Sequence, residues 1–248
     1  MHKLYLRYRL RLKNALRLSE SHTMLLWAAV IGFAGALATV MFRECIGSVQ
    51  MLLTGHNGSF VEIARGLSWQ MRVLLPTAGG ILAGAILVWA GRMPSGAASD
   101  YMEAVAIGDG RIPVRYSLLR SLSSLATVGS GGSIGREGPM VQLAALCASI
   151  VGRFAHFPAS RLRLLVACGA AAGITSAYNA PIAGAFFVTE IVLGALVMES
   201  FGPVVVASVV ANITMRELPG YKPAYEMPFF PQTGGAEILL FVVLGMLA

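Results

Sequence analysis

Charge is the scarcest commodity in this sequence. Only 12% of its 248 residues are Asp, Glu, Lys or Arg, while 56% are hydrophobic. A soluble domain is about a quarter charged, so this chain lacks the polar surface needed to cover an apolar core in water. The shortage excludes an ordinary soluble enzyme and points to a protein of the lipid bilayer. Cysteine is also scarce. Cys45, Cys147 and Cys168 lie singly in apolar stretches and read as small buried hydrophobes. The four histidines form no ligand pair, so neither a metal site nor a cofactor is expected. A membrane-embedded enzyme would need a clustered set of catalytic groups in its apolar segments, and no such cluster is present.

The charge that exists is unevenly placed. Of a net charge of +7, six units come from Lys3, Arg7, Arg9, Arg11, Lys13 and Arg17, with no acid among residues 1–19. A basic excess confined to one end is not the spread docking surface that nucleic acid requires. Placed just before an apolar run, it reads as a cytoplasmic N-terminus under the positive-inside rule. A cleavable signal peptide is the alternative. It fits poorly with a run of about 20 residues and no small-residue cleavage site before a polar domain. Residues 1–22 are therefore expected to form a basic interfacial segment, helical despite the period-two alternation over residues 3–13.

Thr23–Phe42 is free of charge and long enough to cross a bilayer, with Trp27 as an interface anchor. Thr54–Ser68 reads as a loop, and Val73–Gly91 as a second span ending at Arg92. Beyond it the apolar stretches shorten and are broken by Gly and Pro, up to about residue 216. Residues 217–236 carry Pro219, Pro223, Pro228 and Pro231 and read as an extramembrane linker. Residues 237–248 start a further apolar run, which suggests a sequence cut short rather than a finished span. Broken helices in lipid need their free backbone groups satisfied internally. Transporters tolerate such breaks where half-helix ends face a substrate, and helix N-termini favour anions. A non-transporting membrane scaffold is the competing class, but it gains nothing from a lone intramembrane carboxylate.

The segment Gly129-Ser130-Gly131-Gly132-Ser133-Ile134-Gly135-Arg136-Glu137-Gly138-Pro139 is the most informative. It lacks the Lys-Ser/Thr ending of a phosphate loop and the glycine spacing of a dinucleotide fingerprint. It reads as a glycine-rich turn, then Pro139 at a helix start, then a helix over Met140–Val151. Glu137 sits where a free anion would bind. It reads either as a capping carboxylate, or as one paired with Arg136, or as a group that competes with a transported anion and leaves when protonated.

Gly135-Arg136-Glu137-Gly138-Pro139 resembles the signature of the CLC family of chloride channels and chloride/proton exchangers. Cys168–Gly173 and Tyr178-Asn179-Ala180-Pro181-Ile182-Ala183-Gly184 are similar to the same family. Asp100–Ala104 and Ser200–Val206 look closest to its bacterial ClcB-type branch. The resemblance implies an all-α polytopic membrane protein of inverted-repeat architecture with short, broken and re-entrant helices, of which residues 23–216 would be the first repeat. It implies a homodimer in the bacterial inner membrane, chloride as the transported ligand, and protons as possible co-substrate. It makes Glu137 the gate and Gly135, Arg136, Gly138 and Pro139 part of the anion site. The second anion loop of the family aligns with Met93–Ser99 in two registers, placing either Ser95 or Gly96 at the anion. Where exchangers carry two adjacent glutamates, this chain has Glu190 then Ile191. Glu190 is then the candidate for a proton pathway. A fluoride or other small-anion transporter of the same fold is the alternative within the class.

Overall fold

The computed structural model describes residues 20–56, 60–92, 100–194, 198–218 and 235–247. The basic segment 1–19, both registers of the Ser95/Gly96 loop and nearly all of the Pro-rich linker lie outside these residues. Among the described residues every regular element is a helix. In chain order they are α1 (Glu20–Thr54), α2 (Phe60–Gly66), α3 (Trp69–Gly91), α4 (Tyr101–Ala106), α5 (Val114–Gly129) and α6 (Glu137–Phe154). Next come α7 (Ala159–Tyr178), α8 (Pro181–Phe187), a single π-helical turn (Val188–Val192), α9 (Met198–Glu217) and α10 (Gly235–Leu247). The helices α1, α3 and α9 are long and apolar enough to cross a bilayer.

Several helix ends differ from those expected. The first helix does not stop at Phe42 but carries Arg43 and Glu44 in its interior and runs on to Thr54. A charge ends an apolar run without breaking a helix. The break comes at Gly55, which takes φ +71°, a conformation that glycine adopts without penalty. The expected loop after it contains α2. Arg115 and Arg120 lie inside α5. The helix expected over Met140–Val151 begins earlier, at Glu137. Pro139 is then in its first turn, where the missing N–H has no intrahelical partner to lose.

The core is built around α7, which packs on α6, α1, α9 and α8. Its residues from Leu165 to Gly173 are all buried. Its closeness to α6 rests on two glycines one helical turn apart, Gly169 and Gly173. A Cβ at Gly169 would stand 2.7 Å from the Ala144 carbonyl oxygen, and one at Gly173 would stand 2.7 Å from Val141 Cα. This is the small-xxx-small solution by which helices approach in lipid, where apolar burial gives no drive for association.

α7 ends as the sequence suggests, just before Pro181. Asn179 takes the left-handed conformation (φ 57°), and its N–H donates to the Thr175 carbonyl at 2.7 Å. Its side-chain oxygen accepts from Nδ2 of buried Asn212 on α9 at 3.0 Å. Asn179 therefore shapes the break and ties it to a neighbouring helix. Asn179→Ala is expected to cost about 1–2 kcal/mol for the left-handed backbone and about 1–3 kcal/mol for the orphaned Asn212 amide. Asn179→Gly should incur only the second cost. Thermal unfolding in detergent checks the order, wild type above Gly above Ala. An alanine variant as stable as the glycine variant would contradict it.

Candidate functional site

The glycine-rich turn joins two helices end to end. α5 closes with Gly131 at φ +97°, its N–H bonded to the Val128 carbonyl (3.1 Å), and with the Gly132 N–H on the Thr127 carbonyl (2.8 Å). This is the paired C-terminal cap in which glycine supplies the left-handed residue. The chain then turns at Gly135 (φ +77°) into α6. The backbone N–H groups of Gly135, Arg136, Glu137 and Gly138 find no backbone acceptor among the described residues. Free amides at the start of an 18-residue helix form a partial positive charge.

Glu137 lies over that charge. Its Oε2 reaches back to 2.6 Å from the point where a Cβ on Gly135 would sit. Glycine at 135 is therefore required twice, by its positive φ and by the carboxylate folded onto it. No ion pair joins Glu137 to Arg136 among the described residues. The carboxylate is half-buried rather than sealed. It borders an open cleft of about 560 Å³ whose other walls are the turn and the Arg43–Gln50 stretch of α1. A second, more apolar cavity of about 430 Å³ lies between α1, α2 and α3 on the far side of Gln50.

The structure thus gathers Gly135, Arg136 and Glu137 at one cleft, with Gly138 and Pro139 in the same first helical turn. Glu190 is not among them. It sits in the π-helical turn, whose Val188, Thr189 and Val192 are buried, and is exposed there beside exposed Ile191. Ser95 and Gly96 fall outside the described residues, but the helix that follows them is held firmly. The Tyr101 N–H is shared by the Asp100 carboxylate (2.6 Å) and Oε1 of buried Gln142 (3.2 Å), and Gln142 Nε2 donates to Ser117 (2.7 Å). Two turns on, the Ser149 hydroxyl accepts from the Ile112 N–H (3.0 Å) and donates to the Gly110 carbonyl (2.8 Å). Gln142 and Ser149 lie on one face of α6, so the helix that begins at Glu137 is tied to residues 100–112.

Arg43 and Gln50 were not legible as site residues. Arg43 reads as the end of a span, and a lone glutamine carries no signal. The available clue is spacing, since residues 43, 46, 47 and 50 share one helical face.

A family model described as "Voltage gated chloride channel" matches residues 79–248. A protein of Ralstonia nicotianae named as a ClcB-like chloride channel protein is 54% identical over 230 residues, covering 91% of this chain and 54% of that protein. The voltage-gated ClC-type chloride channel ClcB of Yersinia pestis is 42% identical over 226 residues, covering 88% of this chain and 54% of the relative. The chain therefore spans about half the length of the curated relatives it matches. Among solved structures, the crystal structure of a slow cyanobacterial Cl⁻/H⁺ antiporter superposes with a TM-score of 0.68 at 19% identity, covering 90% of this chain and 53% of that one. This likeness carries the fold: short and broken helices around a buried central one.

Proposed function

Because the chain belongs to the voltage-gated chloride channel family, we propose that the protein it forms, or forms part of, moves chloride across a bacterial inner membrane with Glu137 as its gate. One observation carries this reading. The Glu137 carboxylate lies against Gly135 at the amide-rich start of α6, the place where a helix terminus favours a bound anion. A carboxylate there and a chloride ion compete for the same donors. Protonation removes the charge that holds the side chain on the amides and frees them for the anion. The backbone of Gly135, Gly138 and Pro139 shapes that anion site, Arg136 adds positive charge beside it, and Ser95 or Gly96 supplies its opposite wall. The protein acts as a homodimer with the basic N-terminus cytoplasmic. The basic segment before α1 supports that orientation.

Proton exchange is the finer question. Glu190 is the only acid between Leu164 and Met198, which makes it the one carboxylate in that apolar stretch able to carry a proton. The full-length gene product in liposomes, given an outward chloride gradient, is expected to release chloride and take up protons. Glu190→Gln should abolish proton uptake while chloride release continues. Wild-type liposomes that hold their chloride would contradict the transport reading. Proton uptake that survives Glu190→Gln would remove Glu190 from the pathway. Flux measured with fluoride in place of chloride separates the fluoride-carrying alternative.

A further inference from the structure

The α1 wall of the Glu137 cleft carries donors that the gate does not use. Arg43, Ile46, Gly47 and Gln50 follow one another at helical spacing and all border the cleft. Arg43 is half-buried and makes no hydrogen bond or ion pair among the described residues. Arg136, on the other side of the cleft, is likewise unpaired. Gln50 is only 7% exposed, and its Nε2 is buried without a hydrogen-bond partner. A buried amide left unpaired is costly, and so is an unpaired guanidinium in an apolar segment. Both costs fall if a ligand accepts from them. Two cations face one carboxylate, so that ligand is an anion. A small one suits a cleft that also holds the Glu137 side chain.

We infer that Arg43 and Gln50 form a capture subsite for the transported anion on the α1 side of the cleft, separate from the backbone amides at the start of α6. An arriving anion meets the Arg43 charge and the Gln50 amide while the Glu137 carboxylate still occupies the helix terminus. It passes to the freed amides when that carboxylate leaves. The subsite raises the local anion concentration at the gate, which is the general effect of a cleft lined by charge of one sign. This inference rests on the transport reading above.

The test measures chloride flux through the full-length protein in liposomes as a function of chloride concentration, with Glu137→Gln assayed in parallel. Arg43→Gln is expected to raise the half-saturating chloride concentration about three- to tenfold, with the effect on half-saturation rather than on maximal flux. Arg43→Lys should restore most of the affinity. Raising the ionic strength with an impermeant salt should narrow the gap between wild type and Arg43→Gln, since exposed charges are screened beyond about 10 Å at 0.1 M. Gln50→Met keeps the side-chain length, removes the donor and should raise half-saturation about threefold. If Gln50→Met does not fold, the partly exposed and unpaired Arg43 decides the matter alone. Unchanged half-saturation in Arg43→Gln, with Glu137→Gln still altering flux, overturns the subsite and leaves the gate standing. A wild-type protein that carries no chloride overturns both.

Discussion

Replacing Gly173 with leucine is expected to give a protein that does not assemble its core. The Cβ alone would stand 2.7 Å from Val141 Cα and 3.1 Å from the Ala144 side chain. The first of these is backbone of α6, so no rotamer change relieves the clash and the two helices must separate. Separation loosens packing at the most extensively packed helix pair among the described residues. It also displaces the helix that begins at Glu137. Overpacking in a core costs about 1–3 kcal/mol and sometimes more. In lipid no hydrophobic gain opposes the separation. Gly169→Leu should behave alike, since its Cβ would meet the Ala144 carbonyl oxygen at 2.7 Å. Gly80→Leu is the control, because nothing lies within 4 Å of a Cβ there. Size-exclusion profiles and thermal unfolding in detergent should show loss of monodisperse protein for the first two and a wild-type profile for Gly80→Leu. A Gly173→Leu protein of wild-type stability would contradict the close approach of α6 and α7.

Glu137→Gln should have the largest effect on transport. Glutamine keeps the shape of the side chain and removes its titratable charge. A neutral amide competes poorly with chloride for the free N–H groups at the start of α6, because hydrogen bonds to an ionised acceptor are roughly twice as strong as neutral ones. The site is then open to chloride at every pH. Chloride movement should persist and lose its response to pH. Any coupling to protons should vanish, because no titratable group is left at the proposed anion site. If Glu137 is the gate proposed above, wild type should instead move chloride faster in acid and slower in alkali.

Most of the break points in the fold were legible, and most helix ends were not. Pro181 announces the break after Tyr178, because a proline cannot continue the helix before it. The run of glycines from Gly129 to Gly138 announces the turn into α6 for the same kind of reason. Arg43 and Glu44 mislead because they mark a change of polarity, and polarity does not stop a helix that has tertiary neighbours. The place of Glu137 at the start of α6 was legible since the turn around it is made by its neighbours in sequence. Arg43 and Gln50 were not, because they reach the cleft from a helix nearly a hundred residues upstream. Glu190 shows a further limit. Counting from Pro181 singles it out, but the count says nothing of the π-helical turn in which it lies or of its exposure there. A single wide turn of this kind leaves no trace in composition or period.

The central claim is that Glu137 holds the anion site until it is protonated. Its most direct test is chloride efflux from liposomes containing the full-length protein, measured from acid to mildly alkaline pH. Wild type should speed up as the pH falls, and Glu137→Gln should give one rate across the whole range. A Glu137→Gln protein whose efflux keeps the wild-type pH dependence would show that the gate lies elsewhere.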